Sequence, residues 1–558
     1  MTYPEILQRA ESQCAYLMDD RAAVVFVASR AGDEAASLVK AGFRAALDRH
    51  GLAGQVILSG SFGYEGLEPI AVVRKAGGSA VLYPRVTPEA ASIIVDAHLA
   101  GPGPIPEMAL CTLDEKGQRG IPGVSDVPLL RHQVRIALRN CGLIDPEELD
   151  AYVVSASGYC GLHRALEMDP SQVIEEMRAS GLRGRGGAGY GTAEKWAACR
   201  SAEGNEKYVV CNGLDADPLA SGGRLLLESD PHSVLEGALI AAYAVSAGRC
   251  IICVDSTHQA ASGRVRKALD QLSSHGLLGR NILGSEFSVE MEVREVAPSF
   301  SSGEETALLK VLEGRQAMPY LRPPYPSARG LNGSPTVVNS AETLADVSAI
   351  LQKGSAWFSA IGTLASKGSK IVTLAGDVTM KATVEVPFGT SLRTLIEEIG
   401  GGVLPGKSLK AVRIGGPTGA FVSADALDQA LDYETAEKDG TIIGSGTLEV
   451  FADDSCPVEM AFDAVSFLQA QSCGKCVFCR EGTLQMVEIL KSILEQTGTA
   501  QDLELLGELA GQMRVGCLCS LGKDAPNAVL STMRLFRDEY DAHLKGKGCA
   551  AKGTKPGP

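Results

Sequence analysis

Three cysteines in the last fifth of the sequence have the spacing of iron–sulfur cluster ligands. Cys473, Cys476 and Cys479 are separated by two residues each in the segment SCGKCVFCR. This spacing lets three thiolates converge on one cluster, which takes its fourth ligand from elsewhere in the chain. Cys517 and Cys519 are the candidates, because a helical hairpin would return them to the first three. A zinc site with four cysteines is the alternative, but the spacing favours an iron–sulfur cluster.

A glycine-rich segment, GLRGRGGAGYGTAEKW, begins at Gly181 and carries the cations Arg183, Arg185 and Lys195. Glycines let main-chain N–H groups close on a phosphate, and the cations balance its charge. The spacing is neither that of a P-loop nor that of the dinucleotide fingerprint. The segment therefore predicts a phosphate-bearing ligand, with a turn that needs glycine only for packing as the alternative.

A second segment, SFSSGEETALLKVLEG, places Glu304 and Glu305 at the start of a predicted helix. Carboxylates are favoured there by the helix dipole. A helix cap is the simpler interpretation of this pair.

Length, net charge and residue composition limit the classes of protein to which the chain can belong. A chain of 558 residues is expected to form two to four domains. The net charge of -15 disfavours binding to a phosphate backbone. No apolar run is long enough to span a bilayer, and the first residues lack the layout of a signal peptide, so we expect a cytoplasmic protein. In that setting 15 cysteines favour metal ligands or buried thiols over disulfides.

Hydrophobic periodicity predicts an α/β multidomain protein that ends in a helical bundle. Within it, Cys250 and Cys253 lie on the apolar strand RCIICV, where alternation puts them on opposite faces as buried core residues. Between Gly101 and Val127 the chain is rich in glycine and proline, as in a linker. We predict five segments: an α/β domain at 1–115, a linker with leading helices and a ligand-binding α/β domain at 116–368, a compact α+β module at 369–450, a helical bundle at 451–545 and a disordered tail at 546–558.

Eight segments in order resemble one known family. They are RIALRNCGLIDPEELDAY, GLRGRGGAGYGTAEKW, YVVCNGLDADP, DPHSVLEGALIAAYA, SGEETALLKVLEGR, PYPSARGLNGSPTVVNSAETLA, SCGKCVFCREGT and CSLGKDAPNAVLSTMRLFRDE. The sequence is similar here to the 51 kDa flavoprotein subunit of the NADH dehydrogenase module of respiratory complex I. Relatives of that subunit occur in NAD-linked hydrogenases and formate dehydrogenases.

The resemblance implies a cofactor and a fold for each segment. It implies a Rossmann-like domain that binds FMN with NAD(H) stacked on it, a ubiquitin-like (SLBB) β-grasp module, and a bundle that carries one [4Fe-4S] cluster. Cys519 becomes the fourth cluster ligand, because the family's cysteine directly precedes the x-Leu-Gly seen here at residues 520–522, and Cys517 is then spare. The N-terminal domain resembles the thioredoxin-like ferredoxin domain of several relatives.

The resemblance also implies site residues, carried over position by position. The FMN contacts are Gly184, Arg185, Gly186, Lys195, Asn212, Phe300, Gly303, Glu304, Glu305, Val338, Asn339, Ser340 and Thr343. The NAD(H) contacts are Gly187, Tyr190, Asp217, Glu305, Arg322 and Tyr325. Catalytic roles fall to Glu305 and Asp215.

Several positions depart from the family pattern. Leu214 stands where relatives have a carboxylate near the flavin, Asp215 replaces a glutamate, and Ala198 replaces an aromatic residue on the adenine side. We expect flavin binding to survive these changes. In the N-terminal domain, Ser61 and Glu65 stand where relatives have cysteines for a [2Fe-2S] cluster, so we expect that domain to lack one.

Three functions follow from these residues. The first is a diaphorase subunit that transfers a hydride between NAD(H) and FMN and single electrons through the cluster. It would need a two-iron thioredoxin-like cluster subunit and a larger iron–sulfur or catalytic subunit as partners. The second is a nicotinamide-free flavin and cluster relay in an anaerobic reductase or bifurcating complex, and the third is a binding module with a structural cluster. For the first we expect NAD(H) over NADP(H), because Asp217 and Glu305 would repel a 2′-phosphate unless Arg322 compensated.

Overall fold

The computed structural model describes residues 1–19, 23–75, 77–204 and 206–549. Over these residues the strands form three separate sheets surrounded by helices, so the fold is mixed α/β as the sequence predicts. Within the same ranges, no helix is long and apolar enough to cross a membrane.

The first sheet is built by the N-terminal part of the chain. Its strands lie in the order β2-β1-β3-β4-β5, with β1 and β2 parallel and the other pairs antiparallel. The elements are α1 Tyr3–Gln13, α2 Ala15–Met18, β1 Ala23–Ala28, α3 Glu34–Arg49, β2 Gly54–Ser59, β3 Ile70–Arg74, β4 Ala80–Tyr83, α4 Pro88–Ile94 and β5 Cys111–Thr112. Strand β5 lies in the Gly- and Pro-rich stretch between Gly101 and Val127 and within the domain predicted at 1–115.

The second sheet is fully parallel, in the order β8-β7-β6-β9. Cys250 and Cys253 of β7 pack into two different apolar cores, one on each face, which confirms the prediction for this strand. The helices around it are α5 Pro128–Arg131, α6 Leu149–Ala156, α7 Cys160–Leu166, α8 Pro170–Ser180, α9 Thr192–Ser201, α10 Gly222–Ser229, α11 Pro231–Val245, α12 Gln259–Ser274, α13 Glu305–Leu312, α14 Pro326–Arg329, α15 Ala341–Lys353 and α16 Ser355–Ser359. The strands are β6 Tyr208–Gly213, β7 Arg249–Asp255, β8 Glu290–Val296 and β9 Thr336–Ser340.

Helix α1 packs away from the first sheet, against α6 of the second region. Tyr3, Ile6 and Ala10 are buried in the same core as Leu149 and Tyr152. Because these residues have the three- and four-residue spacing of one helix face, α1 buries that face against a domain that begins more than a hundred residues later.

The third sheet has the order β11-β10-β14-β12-β13 and is followed by helices. Its elements are β10 Ser369–Gly376, β11 Ala382–Pro387, β12 Leu409–Ile414, β13 Ala420–Ser423, α17 Tyr433–Asp439 and β14 Thr447–Ala452, with a wide π-helical turn at Thr394–Ile399. The final helices are α18 Pro457–Ala470, α19 Val477–Leu494, α20 Ala500–Gly516, α21 Ser520–Asp524, α22 Pro526–Leu535 and α23 Arg537–Leu544. Of the tail predicted to be disordered, residues 550–558 lie outside the described residues.

Candidate functional site

The parallel sheet has a topological switch point between β6 and β9. The chain leaves β6 towards β7 and β8 on one side, whereas β9 pairs on the other side. Asn212 of β6 pairs with Ser340 of β9 at their carboxyl ends, and α15 begins at the next residue. Ligands of open α/β sheets bind in the crevice at this position, and a helix N-terminus favours an anion there. The ends of β6 and β9 and the start of α15, which hold residues that the sequence singled out, therefore lie at the position where such sheets bind anionic ligands.

The glycine-rich loop lies beside this helix N-terminus. The main-chain N–H of Arg185 donates to Thr343 Oγ1 in the first turn of α15, at 2.9 Å. Gly187 and Gly189 have φ values of +112° and +62°, a region that residues with a side chain rarely adopt. Loop and helix terminus together form a cradle of main-chain N–H groups that fits a phosphate.

Residues of α17, in the region of the third sheet, contact the glycine-rich loop. The Tyr433 hydroxyl donates to Gly184 O at 3.0 Å. The Arg183 guanidinium lies 4.2 Å from the centre of the Tyr433 ring and pairs with Glu434 at 2.5 Å. A Cβ at Gly189 would lie 2.6 Å from that ring, so only glycine permits the approach. Tyr433 is therefore a positioning residue for the loop.

Replacing Tyr433 with phenylalanine is expected to weaken the binding of the loop's ligand about fivefold, because one hydrogen bond contributes about 1 kcal/mol. The ring stays, so Arg183 keeps its aromatic contact. The dissociation constant of the apoprotein for FMN, measured by fluorescence titration, checks the result. Tyr243→Phe is the matched control, since its hydroxyl donates to Met168 O at 2.7 Å. Equal constants for both variants would exclude a positioning role.

Arg185 directs its side chain into the protein rather than along the loop. The guanidinium is fully buried, pairs with Asp346 at 3.3 Å and donates to Lys367 O at 2.7 Å. Burial raises the pKa of Asp346 well above its usual range, and the charge of Arg185 opposes that rise. The side chain of Arg185 therefore points away from the crevice, and its predicted FMN contact stays a prediction.

Four charged side chains meet at one wall of the crevice. Lys195 Nζ lies 2.8 Å from Glu305 Oε1 and donates to Val338 O at 2.9 Å. Arg322 lies 3.6 Å from both Glu304 and Glu305. Glu304 also accepts main-chain N–H groups at the start of α13, so the helix-cap interpretation is confirmed for this residue.

The remaining predicted flavin contacts lie along the strand ends. Asn212 Nδ2 donates to Gly303 O at 3.1 Å, which joins β6 to the segment before α13. Trp196 Nε1 donates to Asn339 Oδ1 at 3.0 Å, which joins α9 to β9. The structure therefore brings together the glycine loop, both strand ends and the segment around Gly303.

Two carboxylates expected at the nicotinamide side are held by internal contacts. Asp215 accepts the main-chain N–H groups of Gly223 and Arg224 at the start of α10, and burial raises its pKa. Asp217 is 3% exposed. It accepts hydroxyl donors from Ser445 and Thr447, both at 2.6 Å. These contacts give both residues an anchoring role, and their predicted roles in catalysis and NAD(H) binding stay predictions.

Aromatic rings are exposed where stacking on a nucleotide is predicted. Tyr190 and Tyr325 are 60% and 58% exposed. In contrast, Phe300 packs edge-on against Phe467 of α18 with ring centres 6.0 Å apart. Phe300 therefore joins the flavin side of the crevice to the helical bundle.

The N-terminal positions where relatives carry cluster cysteines have polar contacts instead. Ser61 donates to Glu68 and accepts the main-chain N–H of Gly63 at 2.8 Å. Glu65 pairs with Arg30. Hydroxyl and carboxylate oxygens are poor substitutes for thiolates as ligands of a [2Fe-2S] cluster.

All five candidate cluster cysteines converge on one cavity in the bundle. Its lining also includes Ser301, Pro319 and Gly522. The converging thiols are Cys473, Cys476, Cys479, Cys517 and Cys519. A set of thiols around one cavity fits an iron–sulfur cluster in the way that the spacing predicts.

The two candidates for the fourth ligand have different surroundings. Contact with Cys517 lowers the pKa of Cys479 to about 6, and the same contact raises the pKa of Cys517. Burial raises the pKa of Cys519 to about 11, and the nearby main-chain N–H groups of Leu521 and Gly522 oppose that rise. Both thiols line the cavity, so the choice of Cys519 as the fourth ligand stays a prediction from the resemblance.

One short segment connects the crevice with the cluster cavity. Ser301 lines the cavity and its hydroxyl donates to Gln471 O at 2.7 Å. Glu305, four residues later, contacts Lys195 in the crevice. Four residues of extended chain span at most about 14 Å, so the two sites are near neighbours.

The comparisons with known proteins fit this geometry. Residues 177–349 match the Nuo51 FMN-binding domain, and residues 459–543 match the NADH-ubiquinone oxidoreductase-F iron-sulfur binding region. The chain is 43% identical over 421 residues to the NADP-reducing hydrogenase subunit HndC of Solidesulfovibrio fructosivorans, which covers 75% of this chain and 86% of that protein. The chain belongs to the family of 51 kDa flavoprotein subunits.

Two further similarities extend the match. An NADH-quinone oxidoreductase subunit of Rhizobium meliloti is 37% identical over 415 residues, 74% of this chain and 98% of that protein. The crystal structure of an NAD+-reducing [NiFe]-hydrogenase in the H2-reduced state superposes with a TM-score of 0.65 at 26% identity, over 97% of this chain and 88% of that chain. The predicted family is confirmed, and with it an oxidoreductase subunit whose cofactors are FMN and a [4Fe-4S] cluster.

Some supporting residues of this 51 kDa-family site were not predicted. Asp346 and Tyr433 act on the glycine loop from 161 and 249 residues away along the chain. Asp346 lies in α15, a helix that we did not predict from the sequence. Tyr433 carries no signal in its own sequence neighbourhood.

Proposed function

We propose that this subunit transfers a hydride between NAD(H) and FMN and passes electrons singly through the [4Fe-4S] cluster to or from partner subunits. The observation that carries the proposal is the segment of residues 301–305, which touches the cluster cavity at Ser301 and the charged wall of the crevice at Glu305. FMN, when bound, supplies the exchange between two-electron and one-electron chemistry.

The chain's own residues bind and orient the two nucleotides in this proposal. The main-chain N–H groups of the loop from Gly186 onward and the N-terminus of α15 hold the FMN phosphate, and Lys195 balances its charge. Asn212 faces the flavin from the end of β6, and Glu305 faces it from the start of α13. Tyr190 and Tyr325 offer exposed rings for stacking on NAD(H).

NAD(H) is the proposed nicotinamide nucleotide. Arg322, the one cation suited to a 2′-phosphate, lies 3.6 Å from each of two carboxylates, Glu304 and Glu305. The charge of Arg322 is thus offset within the protein, so it offers little attraction to an added phosphate. The related HndC is named as NADP-reducing, which makes this choice a sharp test.

The partners follow from the chemistry. A flavin that takes an electron pair and one cluster that takes a single electron need an acceptor, so we propose a two-iron thioredoxin-like cluster subunit and a larger iron–sulfur or catalytic subunit, in the cytoplasm.

Each predicted segment has a role in this proposal. Residues 1–115 form a cluster-free thioredoxin-like domain and residues 116–368 the FMN domain. Residues 369–450 form a β-grasp module and residues 451–545 the cluster bundle. Each of the first three contains one of the three sheets.

Anaerobic mixing of the purified holoprotein with NADH is expected to bleach the flavin absorption at least about tenfold faster than NADPH does. A difference of about 1.4 kcal/mol between the two nucleotides is enough for that ratio. Stopped-flow absorbance measures both rates, with Arg322→Lys as a control that keeps the charge but loses the bidentate geometry.

Three outcomes contradict parts of the proposal. Faster bleaching by NADPH would reverse the nucleotide preference. Bleaching by dithionite but by neither nucleotide would favour the nicotinamide-free relay that Leu214, Asp215 and Ala198 motivate. An active, stable monomer purified from the native host would exclude the need for partners.

A further inference from the structure

Two thiols and an imidazole meet at a place that the flavin and cluster sites do not use. Cys456 precedes α18, His543 lies in the last turn of α23, and Cys549 follows that helix. Cys456 and His543 are 2% and 4% exposed. One ligand atom from each of the three residues lies within 4.8 Å of the other two.

The geometry matches that of a small metal ion with sulfur and nitrogen ligands. Cys456 Sγ lies 3.4 Å from His543 Nε2. A tetrahedral zinc ion with ordinary bond lengths separates a sulfur from a nitrogen ligand by roughly 3.5 Å. In addition, Nδ1 of the buried His543 has no hydrogen-bond partner among the described residues. A simple thiol–imidazole hydrogen bond explains the first distance but not the convergence of a third donor from the chain after α23.

We propose that Cys456, His543 and Cys549 bind one zinc ion, separate from the iron–sulfur cluster. Two thiolates and an imidazole are the donor set that zinc takes in proteins, whereas calcium and magnesium prefer oxygen. With three protein ligands, a water molecule takes the fourth position of the tetrahedron.

The proposed zinc ion has a structural role in the bundle. The ion ties the segment after α23 to the start of α18, and so joins the two ends of the bundle. The first residues of the predicted disordered tail, up to Cys549, then become part of the folded bundle. None of the three donors is a flavin contact or a cluster ligand, so this inference does not rest on the proposed function.

Metal analysis of the full-length holoprotein tests the site. The protein is purified anaerobically, washed with a weak chelator and analysed for zinc and iron by mass spectrometry. We expect one zinc ion per chain beside the cluster iron. Cys549→Ser and His543→Gln are expected to lose the zinc and keep the iron, whereas Cys160→Ser, a control at another partly buried thiol, keeps both.

Cobalt gives a second readout that does not depend on activity. Cobalt(II) added to the zinc-free wild type is expected to give the intense visible bands of a tetrahedral thiolate site, and Cys549→Ser is expected to lack them. Because Cys549 lies outside the helices, this variant tests the site even where Cys456→Ser does not fold.

Other results would overturn the inference. Zinc at the wild-type level in Cys549→Ser would indicate an adventitious ion only. A zinc-free wild type with both thiols free to react would indicate a hydrogen-bonded trio, and a Cys456–Cys549 disulfide in the anaerobic protein would equally exclude the metal. Loss of iron in the wild type would contradict the proposed function instead, since iron and zinc are counted separately.

Discussion

Replacing Cys519 with alanine is expected to remove more than about nine-tenths of the cluster iron, because a [4Fe-4S] cluster requires a thiolate at each of its four corners. Cys519 lines the cluster cavity, and the family pattern predicts it as the fourth ligand. Iron and acid-labile sulfide are measured on the anaerobically purified protein. The electron paramagnetic resonance signal of the reduced cluster provides a second readout.

Cys517→Ala is the matched control for this experiment. Cys517 lines the same cavity, and its sulfur lies 2.7 Å from where a Cβ at Gly522 would stand, so its position depends on that glycine. We expect this variant to keep its iron and its resonance signal, because Cys473, Cys476, Cys479 and Cys519 already supply the four corners of the cluster. The reverse pattern, with iron lost only from Cys517→Ala, would exchange the two roles.

Replacing Lys195 with methionine is expected to weaken FMN binding about a hundredfold. Lys195 contacts both Glu305 and Val338 O, and removing it leaves Glu305 with only the longer contact to Arg322 beside an anionic ligand. The loss of one partner from a largely buried charge pair costs about 2–5 kcal/mol. The dissociation constant of the apoprotein for FMN, from fluorescence titration, measures the effect.

A lysine in an exposed ion pair provides the comparison. Lys407 lies 2.8 Å from Asp454 at the protein surface, and Lys407→Met is expected to leave FMN affinity unchanged, because exposed pairs contribute little. A change of less than about threefold in Lys195→Met would contradict the role assigned to Lys195. Equal loss in both variants would indicate a general effect of net charge.

Most of the predictions that agree with the structure came from short sequence patterns. The spacing of Cys473, Cys476 and Cys479 fixes a cluster site within seven residues, and the alternation around Cys250 and Cys253 fixes which face of β7 each occupies. Both patterns depend only on the short-range geometry of the chain, which is why the structure agrees with them.

Contacts between distant segments could not be predicted in the same way. Asp217 was expected to face a nucleotide, but it is held by Ser445 and Thr447, more than two hundred residues later. The side chain of Arg185 pairs with Asp346 instead of following the loop. Such pairs depend on how domains dock, and a single sequence carries no signal for docking.

The position of α1 predicts how the folded protein responds to a single proteolytic cut. The polypeptide begins on the core around Leu149, leaves it to build the first sheet, and returns through the Gly- and Pro-rich stretch. The loop at Gly63 also accepts the main-chain N–H of Thr383 from β11 at 2.8 Å. Two noncovalent contacts, one through α1 and one through Gly63, therefore hold the N-terminal region to the rest of the protein. A protease that cut once between Gly101 and Val127 would leave two fragments that remain assembled, and the nick would show only after denaturation.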